Sequence, residues 1–243
     1  MEEATSDAVT PRTVDSGRGV SWWSEGWALF TKNAGMWIVF GLILFIVFVV
    51  LGFIPLIGGL VGSLVAPVFM GSWMLASRKL ENGGTLEIGD LFSGFQDRVQ
   101  PLLLLGAIFL AATLVFVLVI GALGAGAMVG VMMGGGHSSG AGVAAAMGAG
   151  MLSMLLTLAL GVLFAMAIWF APALVVFRNV APVEAVKASF AASLKNIVPF
   201  LLYGLIYLVA ALVASIPFGL GWIVLVPVGF LTMYVSYKDI FGA

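Results

Sequence analysis

The stretch Met36–Phe53, MWIVFGLILFIVFVVLGF, runs for eighteen residues without a charge. A helix crossing hydrocarbon needs roughly 20 apolar residues, with ~17–25 tolerated, so this segment reads as a membrane span. Further apolar stretches lie at about 56–76, 101–121, 150–177, 197–216 and 219–237, making six in all. The rest of the 243-residue chain agrees. It is 62% apolar and 9% charged, against ~45–50% and ~25% in soluble domains. A soluble enzyme is thereby excluded. The absence of Cys removes disulfides, thiolate metal sites, cysteine nucleophiles and palmitoylation. A net charge of −1 offers no basic surface to nucleic acid.

Charge placement predicts topology. All ten Lys and Arg (Arg12, Arg18, Lys32, Arg78, Lys79, Arg98, Arg178, Lys187, Lys195, Lys238) fall in the N-terminal tail, the 2–3 and 4–5 connections or the C-terminus. The opposite side has none. Basic residues are retained in the cytoplasm, so both termini are expected there, in a bacterial inner membrane. Residues 1–19 are polar and aperiodic and read as a disordered cytoplasmic tail. Residues 20–243 then form a single six-helix membrane domain. Spans 3 and 4 are joined by a Gly/Ala/Met segment, 121–150, which suits a loop or extended helices equally.

Internal repetition follows. Lys32-Asn33 and Gly41-Leu42-Ile43 recur as Lys195-Asn196 and Gly204-Leu205-Ile206. Before spans 1, 3 and 5 stand apolar stripes at helical spacing: Val20, Trp23, Trp27, Phe30 and Ala34; Ile88, Leu91, Phe92, Phe95 and Val99; Val183, Val186, Phe190, Leu194 and Ile197. Such helices are expected to lie in the interface, with Trp23, Trp27, Phe30, Phe92, Phe95 and Phe190 as anchors. The second span of each pair carries a proline: Pro67, Pro172 and Pro227. The predicted fold is thus all-α, six transmembrane helices in three parallel repeats (20–80, 85–178 and 181–240). Each repeat is an amphipathic interfacial helix plus a helical hairpin. The three prolines are candidates for kinks that open a central cavity.

The segment Trp169-Phe170-Ala171-Pro172-Ala173-Leu174-Val175, with Pro182, Ser189-Phe190 and Asn196, resembles a family of uncharacterised six-span inner-membrane proteins of proteobacteria. The segment Trp27–Phe30, the Ile54-Pro55 turn and the ending Tyr237-Lys238-Asp239 look like the same family. More distantly, the unit is similar to the membrane domain of some glycerophosphodiester phosphodiesterases, without their catalytic domain. The resemblance implies fold and location and carries over no site residue.

Chemistry is sparse. No ionisable residue falls inside a predicted span, which argues against charge-coupled transport. His137, in Gly134–Gly140, stands alone on the outer side beside Ser138 and Ser139 and reads as a loop residue. Glu81, Glu87, Asp90 and Asp97 lack the spacing of a cation loop and read as a solvated, mixed-charge surface. No catalytic, cofactor or metal residues are expected. The expectation is a non-enzymatic inner-membrane protein with an accessory, scaffold or envelope-maintenance role. Its partners would be membrane lipids and other inner-membrane proteins or a second copy, not nucleic acid. A passive or lipid-handling transporter with its site at the centre of the three repeats is the alternative.

Overall fold

The computed structural model describes residues 10–133 and 140–242. Among them every regular element is helical. The long apolar runs become α2 (Ala34–Gly52), α3 (Ile57–Glu81), α5 (Val99–Met133), α6 (Gly140–Ile168), α9 (Ile197–Ser215) and α10 (Trp222–Phe241). Short helices stand before or within them: α1 (Arg18–Lys32), α4 (Gly94–Asp97), α7 (Ala171–Arg178) and α8 (Pro182–Lys195). Six segments are long and apolar enough to cross a membrane: Ala34–Gly52, Ile57–Glu81, Val99–Ala122, Met147–Arg178, Ile197–Ser215 and Trp222–Phe241. The chain divides into two compact units, Met1–Ile108 with Met166–Ala243, and Phe109–Ala165.

Two local expectations change, and one open alternative narrows. The stripe from Ile88 to Val99 is not one interfacial helix but a 3₁₀ turn, Ile88–Phe92, followed by α4. The reason is local. Gly89 and Gly94 weaken a helix, and the Asp90 carboxylate caps the Glu87 N–H at 2.7 Å while pairing with Lys79 at 2.8 Å. The segment 121–150 is helical up to Met133 and from Gly140. α5 therefore has 35 residues, well beyond the ~20 that a span requires. His137, Ser138 and Ser139 lie outside the described residues. Finally, residues 10–17 are not a free tail. Arg12 donates its backbone N–H to Ile240 at 2.9 Å, and Val14 donates to the Asn196 side chain at 2.9 Å. Asn196 in turn donates to the Arg12 carbonyl at 3.0 Å. Residues 1–9 lie outside the described residues.

In the larger unit the core is aromatic. Trp73 of α3 stacks between Trp37 of α2 (5.6 Å) and Phe230 of α10 (4.6 Å), with Phe40 edge-on at 5.7 Å. Outward faces stay apolar: Phe45 is 67% exposed and Leu201 66%. Exposed apolar surface on this scale requires lipid as its solvent. In the smaller unit, Phe109 and Phe164 meet edge to face at 5.9 Å.

The short helices pack through small residues. α8 buries Ala185, Ala188, Ser189, Ala192 and Ser193, and turns Val183 and Leu194 outward. On α1, a Cβ at Gly26 would come within 2.7 Å of the Thr232 side chain. At Gly94 a Cβ would lie 2.5 Å from the Val68 carbonyl, and the Gly94 N–H donates to the Ser72 hydroxyl at 2.9 Å. Backbone approach this close is how helices associate where lipid offers no hydrophobic drive.

Pro172 interrupts the sixth-helix ladder, because it has no N–H and α6 stops at Ile168. Ser189 repairs the break. Its hydroxyl accepts from the Phe170 N–H at 2.9 Å and donates to the Met166 carbonyl at 2.8 Å. Ser189→Ala should therefore destabilise the protein by about 1–2 kcal/mol in detergent unfolding. Ser24→Ala, on the exposed face of α1, should stay within about 0.5 kcal/mol. Equal values for the two variants would contradict the repair.

Candidate functional site

The polar chemistry of the larger unit gathers where α1, α3, α7 and α10 bring their charged ends together. Asp239, near the end of α10, is the hub. It accepts from Arg18 Nε at 2.5 Å and from the buried Trp22 Nε1 at 2.9 Å. The Arg12 guanidinium lies 3.7 Å from the same carboxylate and bonds the Asp239 carbonyl through Nε. The hydrogen bond to Asp239 raises the Arg18 pKa above its ordinary value; burial opposes this, and a bond to Glu25, at 2.9 Å, assists it. One turn away, Glu81 of α3 accepts from Lys238 at 2.6 Å and from the Tyr234 hydroxyl at 2.7 Å. Arg12, Arg18, Glu25, Lys32, Glu81, Lys238 and Asp239 line an open cavity of about 420 Å³.

A second cavity, of about 230 Å³, adjoins it through Lys238 and is lined by Arg78, Phe177, Arg178, Tyr234 and Tyr237. Arg78 sits 4.3 Å over the Phe177 ring. Arg178 donates to the Phe241 carbonyl at 2.9 Å and, at 3.4 Å, to the Tyr237 hydroxyl. Both cavities can hold ions and hydrogen-bonding groups.

The prolines and aromatics singled out in the sequence lie elsewhere. Pro67 and Pro227 are buried within α3 and α10, which run on through them, and Pro172 starts α7 behind the break. None of the three lines either cavity. Trp23 stacks on Tyr203 at 5.0 Å and donates to its carbonyl at 3.3 Å. Trp27 is 51% exposed and stacks on buried Phe30 at 5.4 Å. Phe92 and Phe95 close edge-on over Phe69, at 5.9 and 5.2 Å, and Phe190 is half-buried on α8. Of the four acids read as solvated surface, Glu81 and Asp90 are tied into ion pairs and Glu87 caps the 3₁₀ turn. The Asp97 side chain lies outside the described ones. The hub at Asp239 was missed; its one signal in the sequence was an acid placed directly after Lys238.

No family model matches the chain, and no solved structure matches it. Over 213 residues it is 27% identical to a probable inner membrane protein of Burkholderia thailandensis, across 86% of this chain and 78% of that protein. With six candidate spans, the match supports one statement. The chain is a bacterial multi-pass membrane protein. The distant likeness to glycerophosphodiester phosphodiesterases finds no support in these comparisons.

Asp239→Asn keeps the shape and removes the charge that three side chains converge on. It should destabilise the protein by about 1–3 kcal/mol and hasten tryptic cleavage at Arg12 and Arg18. Unchanged cleavage kinetics would show that the hub does not hold the N-terminal segment.

Proposed function

We propose that the chain is a non-enzymatic protein of the bacterial inner membrane, with both termini cytoplasmic, built as three parallel repeats and serving as an accessory or scaffold subunit in envelope maintenance. The observation that carries this reading is how its charges are spent. Asp239, Glu81 and Asp90 each pair with a base from a different element. Their arrangement stitches helices together.

Two features support the threefold organisation. The joint between each short element and its span has a similar backbone bend: φ −155°, ψ 59° at Asn33, φ −140°, ψ 27° at Arg98, and φ −118°, ψ 36° at Asn196. Each short element also crosses the proline-bearing span of the repeat before it, in cyclic order. The 3₁₀ turn and α4 cross α3 at Ser72, α8 crosses the α6–α7 break through Ser189, and α1 crosses α10 at Thr232. Partners in this reading are membrane lipids and other inner-membrane proteins or a second copy.

The alternative, a passive or lipid-handling transporter, draws on the outward apolar stripe of α8 and the half-exposed Trp27. Against a central solute path stands the packing of Trp37, Phe40, Trp73 and Phe230.

A chain without native cysteine allows a clean topology test. In intact spheroplasts an impermeant maleimide should label a Gly59→Cys variant, and should label an Asn82→Cys variant only after lysis. The reverse pattern would refute the cytoplasmic assignment. The role itself is tested by mild solubilisation from native membranes. Co-purification of a defined membrane partner supports a subunit, whereas repeated isolation alone, with deletion leaving the envelope intact, contradicts it.

A further inference from the structure

Each proline-bearing span ends in a base: Arg78 on α3, Arg178 on α7 and Lys238 on α10. A cation in the last turn of a helix is favoured by the helix dipole, which accounts for each base taken singly. It does not account for three helices delivering their bases to the wall of one cavity. Among the described residues, that wall also holds Phe177, Tyr234 and Tyr237, and no carboxylate. Three like charges around a small space repel one another. The nearest compensation is Glu81, which binds Lys238 from the side of the neighbouring cavity. Among the described residues the local balance is therefore three positive charges against one negative.

Donors remain to be used. Among the described residues, Arg78 makes no hydrogen bond or ion pair with the protein and is held only by its stack on Phe177. Arg178 spends Nη2 on the Phe241 carbonyl and Nε, weakly, on Tyr237. Tyr237 keeps its own proton to donate, and Lys238 has two donors beyond the one given to Glu81. Two guanidinium forks, an ammonium and a phenol around about 230 Å³ match a tetrahedral oxyanion. The space is smaller than the ~300–1,000 Å³ typical of sites for drug-sized ligands.

We propose that Arg78, Arg178 and Lys238 form a binding site for a phosphate group, presented by the headgroup of an anionic phospholipid at the basic end of the bundle. Arg78 is exposed, so the site opens outward, and the apolar outer faces of the spans supply a surface for acyl chains. The site stands on this cavity and needs neither the scaffold role nor the threefold reading.

The test uses full-length protein, delipidated in a neutral detergent and followed by thermal shift. Dioleoylphosphatidylglycerol, dioleoylphosphatidylcholine and inorganic phosphate are titrated separately, and then phosphate against bound phosphatidylglycerol. Phosphatidylglycerol should raise the melting temperature saturably, and phosphatidylcholine should not. Arg78→Gln should raise the half-saturating concentration about tenfold, with Arg78→Lys intermediate because it keeps the charge and loses the fork. Lys187→Gln, on the exposed face of α8, should bind as wild type. Because Arg78 touches only a ring face, its variants should melt normally without ligand, which separates binding from folding. If inorganic phosphate competes on equal terms with phosphatidylglycerol, the phosphate site stands and its source is soluble phosphate. If neither probe shifts the melting temperature, if phosphatidylcholine binds equally well, or if Arg78→Gln binds as wild type, the proposal is overturned.

Discussion

In hydrocarbon no water is present to satisfy a broken backbone, and each unpaired N–H or C=O costs several kcal/mol. Every departure from helix in the spans must therefore find its partner inside the protein. Ser189 answers the gap before Pro172, binding the Phe170 N–H and the Met166 carbonyl at once. Ser72 receives the Gly94 N–H where the chain re-enters the bundle. These hydroxyls decide where the short elements cross the spans. The crossings, in turn, decide where the charged helix ends meet.

The same solvent inverts the usual reading of an amphipathic helix. In water the apolar stripe would be the buried face. On α8 Val183 and Leu194 face outward, while Ala185, Ala188, Ser189 and Ala192 pack within. On α1, Gly26 and Trp22 are buried and Trp27 is half-exposed. On α8 small residues win the inside because they permit backbone contact, and lipid accepts the large ones, whereas α1 buries Gly26 together with Trp22, Leu29 and Phe30.

That inversion explains what could be read in the sequence. The six spans were legible, because a charge-free run such as Met36–Phe53 needs only its length to declare itself. The helices α1 and α8 were legible from their spacing. The 3₁₀ turn at Ile88–Phe92 was not, because its apolar spacing imitates a helix while Asp90 and two glycines undo it. Nor was the docking of residues 10–17, whose polar composition promises disorder; its partners, Asn196 and Asp239, lie about 180 and 220 residues away in the chain. The charged end was hidden for a related reason. Bases at helix ends look like topology signals until the fold shows that they share a cavity.

The threefold organisation proposed above puts each short element across the proline-bearing span of the preceding repeat, closing a ring. Zero-length oxidation of paired cysteines in native membranes tests it most directly. A disulfide is expected in a Gly26→Cys/Thr232→Cys variant, since those backbones touch and disulfide geometry tolerates little separation. A disulfide in a Gly26→Cys/Ser72→Cys variant, with none between positions 26 and 232, would place α1 on the span of its own repeat and contradict the ring.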